Sequence, residues 1–95
     1  MTAYLLVEIE ITDPETFEEY KRLVAPTIAA FGGRYLARGG ELAPLEGGWE
    51  PGRLVIIEFP SMERAREWWG SDAYEPLKPM RLASARSRLL LVEGI

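Results

Sequence analysis

Glu58 is the one charged residue in the run Leu54-Val55-Ile56-Ile57-Glu58-Phe59, which is otherwise aliphatic or aromatic. A carboxylate held in such a setting can have its pKa raised into the range where it accepts or donates a proton. Arg34 and Arg38 bracket a second short run, Arg34-Tyr35-Leu36-Ala37-Arg38, and a guanidinium there would hold a carboxylate or enolate oxygen. Glu8 stands in a similar position in the first such run, Tyr4 to Ile11. Glu58 with Arg38, joined by Glu8, is therefore the candidate constellation, suited to a small organic acid or an enolisable carbonyl compound. The alternative is that these charges pair across a sheet or a subunit interface and only fix register. Trp68 and Tyr74 could line an aromatic pocket, but Trp68 and Trp69 cannot face the same way on a helix, and core packing competes with that role. Lys78, Arg81, Arg86 and Arg88 make a locally basic segment, read either as solvated surface or as an anion site.

Composition narrows the chemistry. With 11 basic and 15 acidic side chains the formal charge is -4, the wrong sign for a protein that binds by neutralising phosphates, so nucleic acid is not an expected partner. There is no cysteine and no histidine, hence no thiolate nucleophile, no zinc-thiolate site, no imidazole base and no proximal haem ligand. The acids lack metal-ligand spacing, and no metal site is expected. No apolar run approaches the roughly 18 residues of a membrane span and no signal peptide is recognisable, so a soluble cytoplasmic protein is expected.

The elements that must position these groups follow from periodicity. Leu5, Val7, Ile9 and Ile11 alternate with Tyr4, Leu6, Glu8 and Glu10, a strand pattern. Asp13 or Thr12 can cap a helix, Pro14 suits its first position, and Phe17, Tyr20, Val24, Ile28 and Phe31 form its apolar stripe, with Pro26 bending it and Gly32-Gly33 ending it. Arg34 to Arg38 is a second strand. The span from Glu41 to Gly52, with Pro44, Gly47, Gly48, Pro51 and Gly52, is a long connection in which Trp49 is expected to clamp the loop onto its own subunit or the partner rather than bind ligand. Leu54 to Phe59 is the third strand, and Ser61 caps a second helix carrying Met62, Ala65, Trp68 and Trp69. Gly70, Pro76 and Pro79 break it, and Met80 to Ala85 lead into a last strand, Arg88 to Glu93. The order βαββαβ in one domain, residues 1–95, predicts an α+β ferredoxin-like fold, a four-stranded antiparallel sheet with the helices on one face.

Two helices cover only one face of such a sheet. Parity puts Leu6, Leu54, Ile56, Leu36 and Leu90 on the other, together with Glu8, Glu58, Arg34, Arg38 and Arg88. An apolar patch of that size marks an association surface, and a short chain gains from extra burial, so a homodimer packed through the sheet face is expected.

The strings Gly33-Arg34-Tyr35-Leu36-Ala37-Arg38-Gly39-Gly40, Leu45-Glu46-Gly47 and Val55-Ile56-Ile57-Glu58-Phe59-Pro60-Ser61, followed by Trp68, Ser71, Tyr74 and Val92-Glu93-Gly94, resemble the domain-of-unknown-function family numbered 1330 (DUF1330) across nearly the whole chain. That family resembles the dimeric α+β barrel superfamily, which includes cofactor-independent monooxygenases, lactone isomerases, haem-dependent chlorite dismutases, dye-decolorising peroxidases and small-ligand binders. The resemblance implies a dimeric barrel and carries no established reaction. Without histidine a haem role is not expected, and no cofactor is expected. The expected function is the binding or conversion of a small organic acid or carbonyl compound in the cavity between sheet faces, with Glu58 as acid or base. A structural or accessory dimer, its sheet charges only ion pairs, is the alternative.

Overall fold

The first strand, β1 (Ala3–Ile11), buries every second side chain, Ala3, Leu5, Val7 and Ile9, and leaves Tyr4, Leu6 and Glu8 half-buried on the opposite side. That alternation is what a sheet covered on one face requires. The computed structural model describes residues 1–95. Helix α1 (Pro14–Ala30) follows, with the Asp13 side chain accepting from the Thr16 amide at 3.3 Å and Pro14 at a position that has no amide to satisfy. Its buried stripe is Phe17, Tyr20, Val24 and Ile28, and each such side chain removed from water stabilises the fold by about 1.5–3 kcal/mol.

Gly33 stands at the turn out of α1, where a Cβ would press into the Ile28 side chain and the Phe59 ring at 2.6 and 2.8 Å. Only glycine lets β2 (Arg34–Arg38) pack that close. The connection over 39–52 carries no regular element, as its glycines and prolines predict. β3 (Arg53–Phe59) buries Val55, Ile57 and Phe59 on the helix side. Helix α2 (Met62–Trp69) is capped by Ser61, whose hydroxyl accepts from the Arg64 amide at 3.1 Å. A 3-10 turn (Glu75–Leu77), helix α3 (Lys78–Ser84) and β4 (Ala85–Glu93) complete the chain.

All pairings are antiparallel and the strand order is β2-β3-β1-β4, the ferredoxin-like βαββαβ arrangement. Two local expectations need correction. Met80 to Ser84 is helical rather than a lead into the last strand, because Pro79 lies in the first turn of α3, where proline costs no hydrogen bond. The last strand consequently begins at Ala85, not Arg88. In addition, β2 does not keep one parity throughout. Tyr35 stands opposite Ile57, yet Ala37 stands opposite Ile56, so Leu36 is the extra residue of a β-bulge. Beyond it every side chain changes face.

Candidate functional site

The bulge separates the two arginines expected to act together. Arg34 lies opposite Glu58 and donates through Nε to Glu58 Oε1 at 2.9 Å on the open face. Arg38 lies opposite Val55, which is buried on the helix side, and it stacks 4.3 Å over the Tyr35 ring while donating to the Lys21 carbonyl at 3.4 Å. The constellation of Glu58 with Arg38 does not form, because one inserted residue turns Arg38 to the opposite face. Glu8 is also engaged: Arg88 lies directly across from it and donates to both of its oxygens, at 3.1 and 2.8 Å, and Trp49 Nε1 adds a third bond at 3.2 Å. The Arg88 bond, followed by the Trp49 bond, holds the Glu8 carboxyl below the usual carboxylate range. On this face Leu36, Leu90, Val92 and the Trp49 ring are exposed.

A depression on this face lies among Leu6, Glu8, Trp49, Leu54, Arg88 and Leu90, and a second concavity lies on the other side, in a cleft between α1 and the sheet. Most of its lining is apolar, from Val7, Ile9, Phe17, Val55 and their neighbours. Four lining residues are not hydrophobic, Lys21, Arg38, Arg53 and Arg81, and all are cationic. No carboxylate lines the cleft. The interior space is about 40 Å³, room for one to three waters or a single small polar head.

Arg81 is the most unusual of the four. It is 6% exposed, it makes no ion pair, and it is held by hydroxyls: Nε donates to Tyr74 Oη at 3.2 Å and Nη1 donates to Ser87 Oγ. Tyr74 Oη is in turn 2.9 Å from Tyr20 Oη. Burial, reinforced by the neighbouring Tyr74, pushes the Tyr20 hydroxyl far above its ordinary value, so Tyr20 stays protonated. Burial also raises Tyr35. Arg53 places its guanidinium against Gly39, where φ is +71 and a Cβ would collide with it, and its buried Nε has no partner. Lys21 is paired at 2.8 Å with Glu18, whose carboxyl is lowered first by that bond and more weakly by Arg53 and Arg38.

Trp68 and Tyr74 both belong to this helix-side region and both are fully buried. Trp68 lines the cleft, stacks 4.1 Å from Tyr74 and 5.5 Å from Phe59, and donates through Nε1 to Thr27 Oγ1 at 3.0 Å. Tyr74 acts behind the lining through its hydroxyl. Arg53, Tyr20 and Tyr35 were not singled out as site residues by sequence, and Arg81 only as one of four residues of a basic segment read as solvated surface or an anion site, although signals existed. Arg53 is in phase with Val55, Ile57 and Phe59, and Arg81 shares the spacing of the buried Leu77 and Ser84. No group of three or more acidic, histidine or cysteine side chains converges to hold a metal, and no helix is long and apolar enough to cross a membrane. Chemically, the cleft offers guanidinium and phenol donors to an oxyanion and no carboxylate or imidazole base.

No curated protein matches the sequence significantly. Among solved structures, a protein of unknown function from Rhodopseudomonas palustris, RPA0582, is 20% identical with a TM-score of 0.80, covering 99% of this chain and 82% of its own. A dimeric ferredoxin-like protein of unknown function from Jannaschia sp. CCS1 is 14% identical with a TM-score of 0.73, covering 99% of this chain and all (100%) of its own. SnoaB, a cofactor-independent oxygenase from Streptomyces nogalater, is 16% identical with a TM-score of 0.63, covering 99% and 93%. At these identities the likeness shows the fold alone. The model of the family described as "Domain of unknown function (DUF1330)" matches residues 2–95, and the chain belongs to that family.

Proposed function

We propose that the protein is a homodimer that binds a small organic acid in the cleft between α1 and the sheet of each protomer. One observation carries this reading: in a chain of net charge -4, every non-hydrophobic residue lining the cleft is cationic. Arg81 is buried, Arg53 half-buried and Arg38 exposed at the edge of the cleft; a buried guanidinium is costly unless an anion meets it, and an apolar cleft with a few convergent charges favours an amphiphilic anion. The acid's carboxylate would sit at Arg38 and Arg53, where the unpartnered Arg53 Nε offers a donor, and its apolar body against Ile9 and Phe17. This moves the ligand from between two sheet faces to beneath the helix, and it leaves Glu58 outside the site. Haem has no place in this reading. The open face, with exposed Leu36, Leu90 and Val92, supplies the dimer contact, and the Jannaschia relative is itself described as dimeric.

Calorimetric titration with hexanoate and benzoate, each against its neutral amide, tests the proposal. The acids are expected to bind and the amides not, and Arg38→Ala and Arg53→Ala are each expected to weaken the acids by at least about tenfold. Acid and amide binding alike, or no acid binding at millimolar concentration, would sink it. A second reading, an accessory dimer without ligand, draws on the small interior volume and on the charges of the open face, where Glu58 and Glu8 are already partnered. Under it, carboxylates leave the thermal transition where it is.

A further inference from the structure

The cations of the cleft are anchored toward two sides of it, and the strand register identifies those sides. Ile9 of β1 lies opposite Arg53 of β3 on one side and opposite Ser87 of β4 on the other. Residues directly across from one another share a face, so the side chains of Arg53 and Ser87 flank Ile9 beneath α1. Their backbones are two strand spacings apart, about 10 Å. Ser87 Oγ is the anchor that receives Arg81 Nη1, so the Arg81 guanidinium belongs to the β4 end, while Arg53, with Arg38 one strand further out, forms the β3 end. Between them the lining is apolar, from Ile9 and Phe17, apart from the Tyr20 hydroxyl.

A single carboxylate answers only one end. If it sits at Arg53 and Arg38, the buried Arg81 keeps its hydroxyl partners but still lacks a counter-ion, and a buried charge without one is costly. The hydroxyl network at that end has a proton to offer a further acceptor. Tyr74 Oη accepts from Arg81 Nε and can give its own proton to Tyr20 Oη, which leaves the Tyr20 proton free for an oxygen in the cleft. The interior of about 40 Å³ admits one carboxylate head, so a ligand with a second head would have to extend out of it to the exposed Arg38.

We propose that the cleft is two-ended and selects a short aliphatic dicarboxylate, one carboxylate held by Arg53 and Arg38 and the other by Arg81 with Tyr20. This rests on the acid-binding reading above and names its ligand class. The test is calorimetric titration of the whole protein with succinate, glutarate, adipate and pimelate, each against the monoacid of equal carbon number, butyrate, valerate, hexanoate and heptanoate, at constant ionic strength. At least one diacid is expected to bind about tenfold or more tightly than its monoacid. Arg81→Met is expected to bring that diacid down to the affinity of the monoacid. Tyr20→Phe, which keeps the ring and its packing, is expected to narrow the gap and serves where Arg81→Met fails to fold. Equal affinity for diacids and monoacids in the unaltered protein, with binding still dependent on Arg38 and Arg53, overturns the two-ended cleft and leaves the acid site standing. No binding of any acid overturns both.

Discussion

The two faces of the sheet handle charge in opposite ways. On the open face the cross-strand pairs are Arg34 with Glu58, Glu8 with Arg88 and, more loosely, Glu10 with Arg86, and each carboxylate meets a guanidinium directly opposite. On the helix face Lys21, Arg38, Arg53 and Arg81 converge on one cleft with no carboxylate in its lining. Pairs set directly across two strands fix register and leave little free valence for a ligand. The cations under the helix have one nearby acid, Glu18, which pairs with Lys21, so the three arginines keep free valence for an anion. The sequence separation of Arg34 and Arg38 is that of two residues on one face of a strand, and the bulge at Leu36 sends one to each side.

If the helix face is a packed platform holding a cleft, removing its largest ring should have the greatest effect. Trp68→Ala deletes a buried indole wedged between Phe59 and Tyr74 and leaves Thr27 Oγ1 without its donor. We expect a loss of about 3–5 kcal/mol, read from the urea midpoint at constant slope. A loss below about 1 kcal/mol would mean that this ring does not organise the face.

Next in size is the open face. Leu90 lies across from Leu6 and is more than half exposed, at 58%, so Leu90→Asp should cost an isolated protomer within about 0.5 kcal/mol. In a dimer packed through this face the aspartate would be desolvated, and the dissociation constant should rise by at least about 30-fold. Sedimentation velocity at micromolar concentration measures it. An unaltered dimer would place the contact elsewhere.

A smaller effect distinguishes the faces by pH. The Tyr20 hydroxyl, with an ordinary value of 10.0, is raised by burial in the folded protein, and Tyr35 is raised as well. Above that value the unfolded chain releases protons that the folded protein keeps, so folding stability falls as the pH rises. The slope from Tyr20 approaches about 1.4 kcal/mol per pH unit beyond about pH 10. Tyr20→Phe should flatten this alkaline loss, seen as a smaller drop in the thermal midpoint between about pH 9 and 11. Parallel profiles for the two proteins would contradict the burial argument.

How much of this was legible in the chain depended on whether local signals were self-contained. The α1 stripe, the Asp13 cap and the alternation of β1 and β3 are each complete within a short window, and the fold follows from them. The bulge has no such marker, since Leu36 is an ordinary strand residue and its displacement is set by pairing with β3. Pro79 could end a helix or begin one, and only the packing of α3 against α1 decides. That packing is also what buries Arg81, which from the basic segment alone reads equally as solvated surface or as part of an anion site. Glu58 drew notice for the right reason, a lone acid in an apolar run, but its partner is cross-strand and invisible from spacing.

The smallest expected effect bears on that residue. Glu58 accepts from Arg34 Nε at 2.9 Å, and the arginine side chain is largely exposed, at 70%, against 24% for the glutamate. A pair so open to solvent contributes on the order of 0–1 kcal/mol. Glu58→Gln keeps the volume and one acceptor oxygen, so its stability change should fall within about 1 kcal/mol. Because Glu58 lies on the face away from the cleft, the same variant should bind hexanoate or a short diacid as the unaltered protein does, whereas Arg53→Ala should not. Were Glu58→Gln instead to lower acid affinity by about tenfold with the dimer intact, the ligand would have to touch the open face, and the contrast between the faces would fail at the residue where it is sharpest.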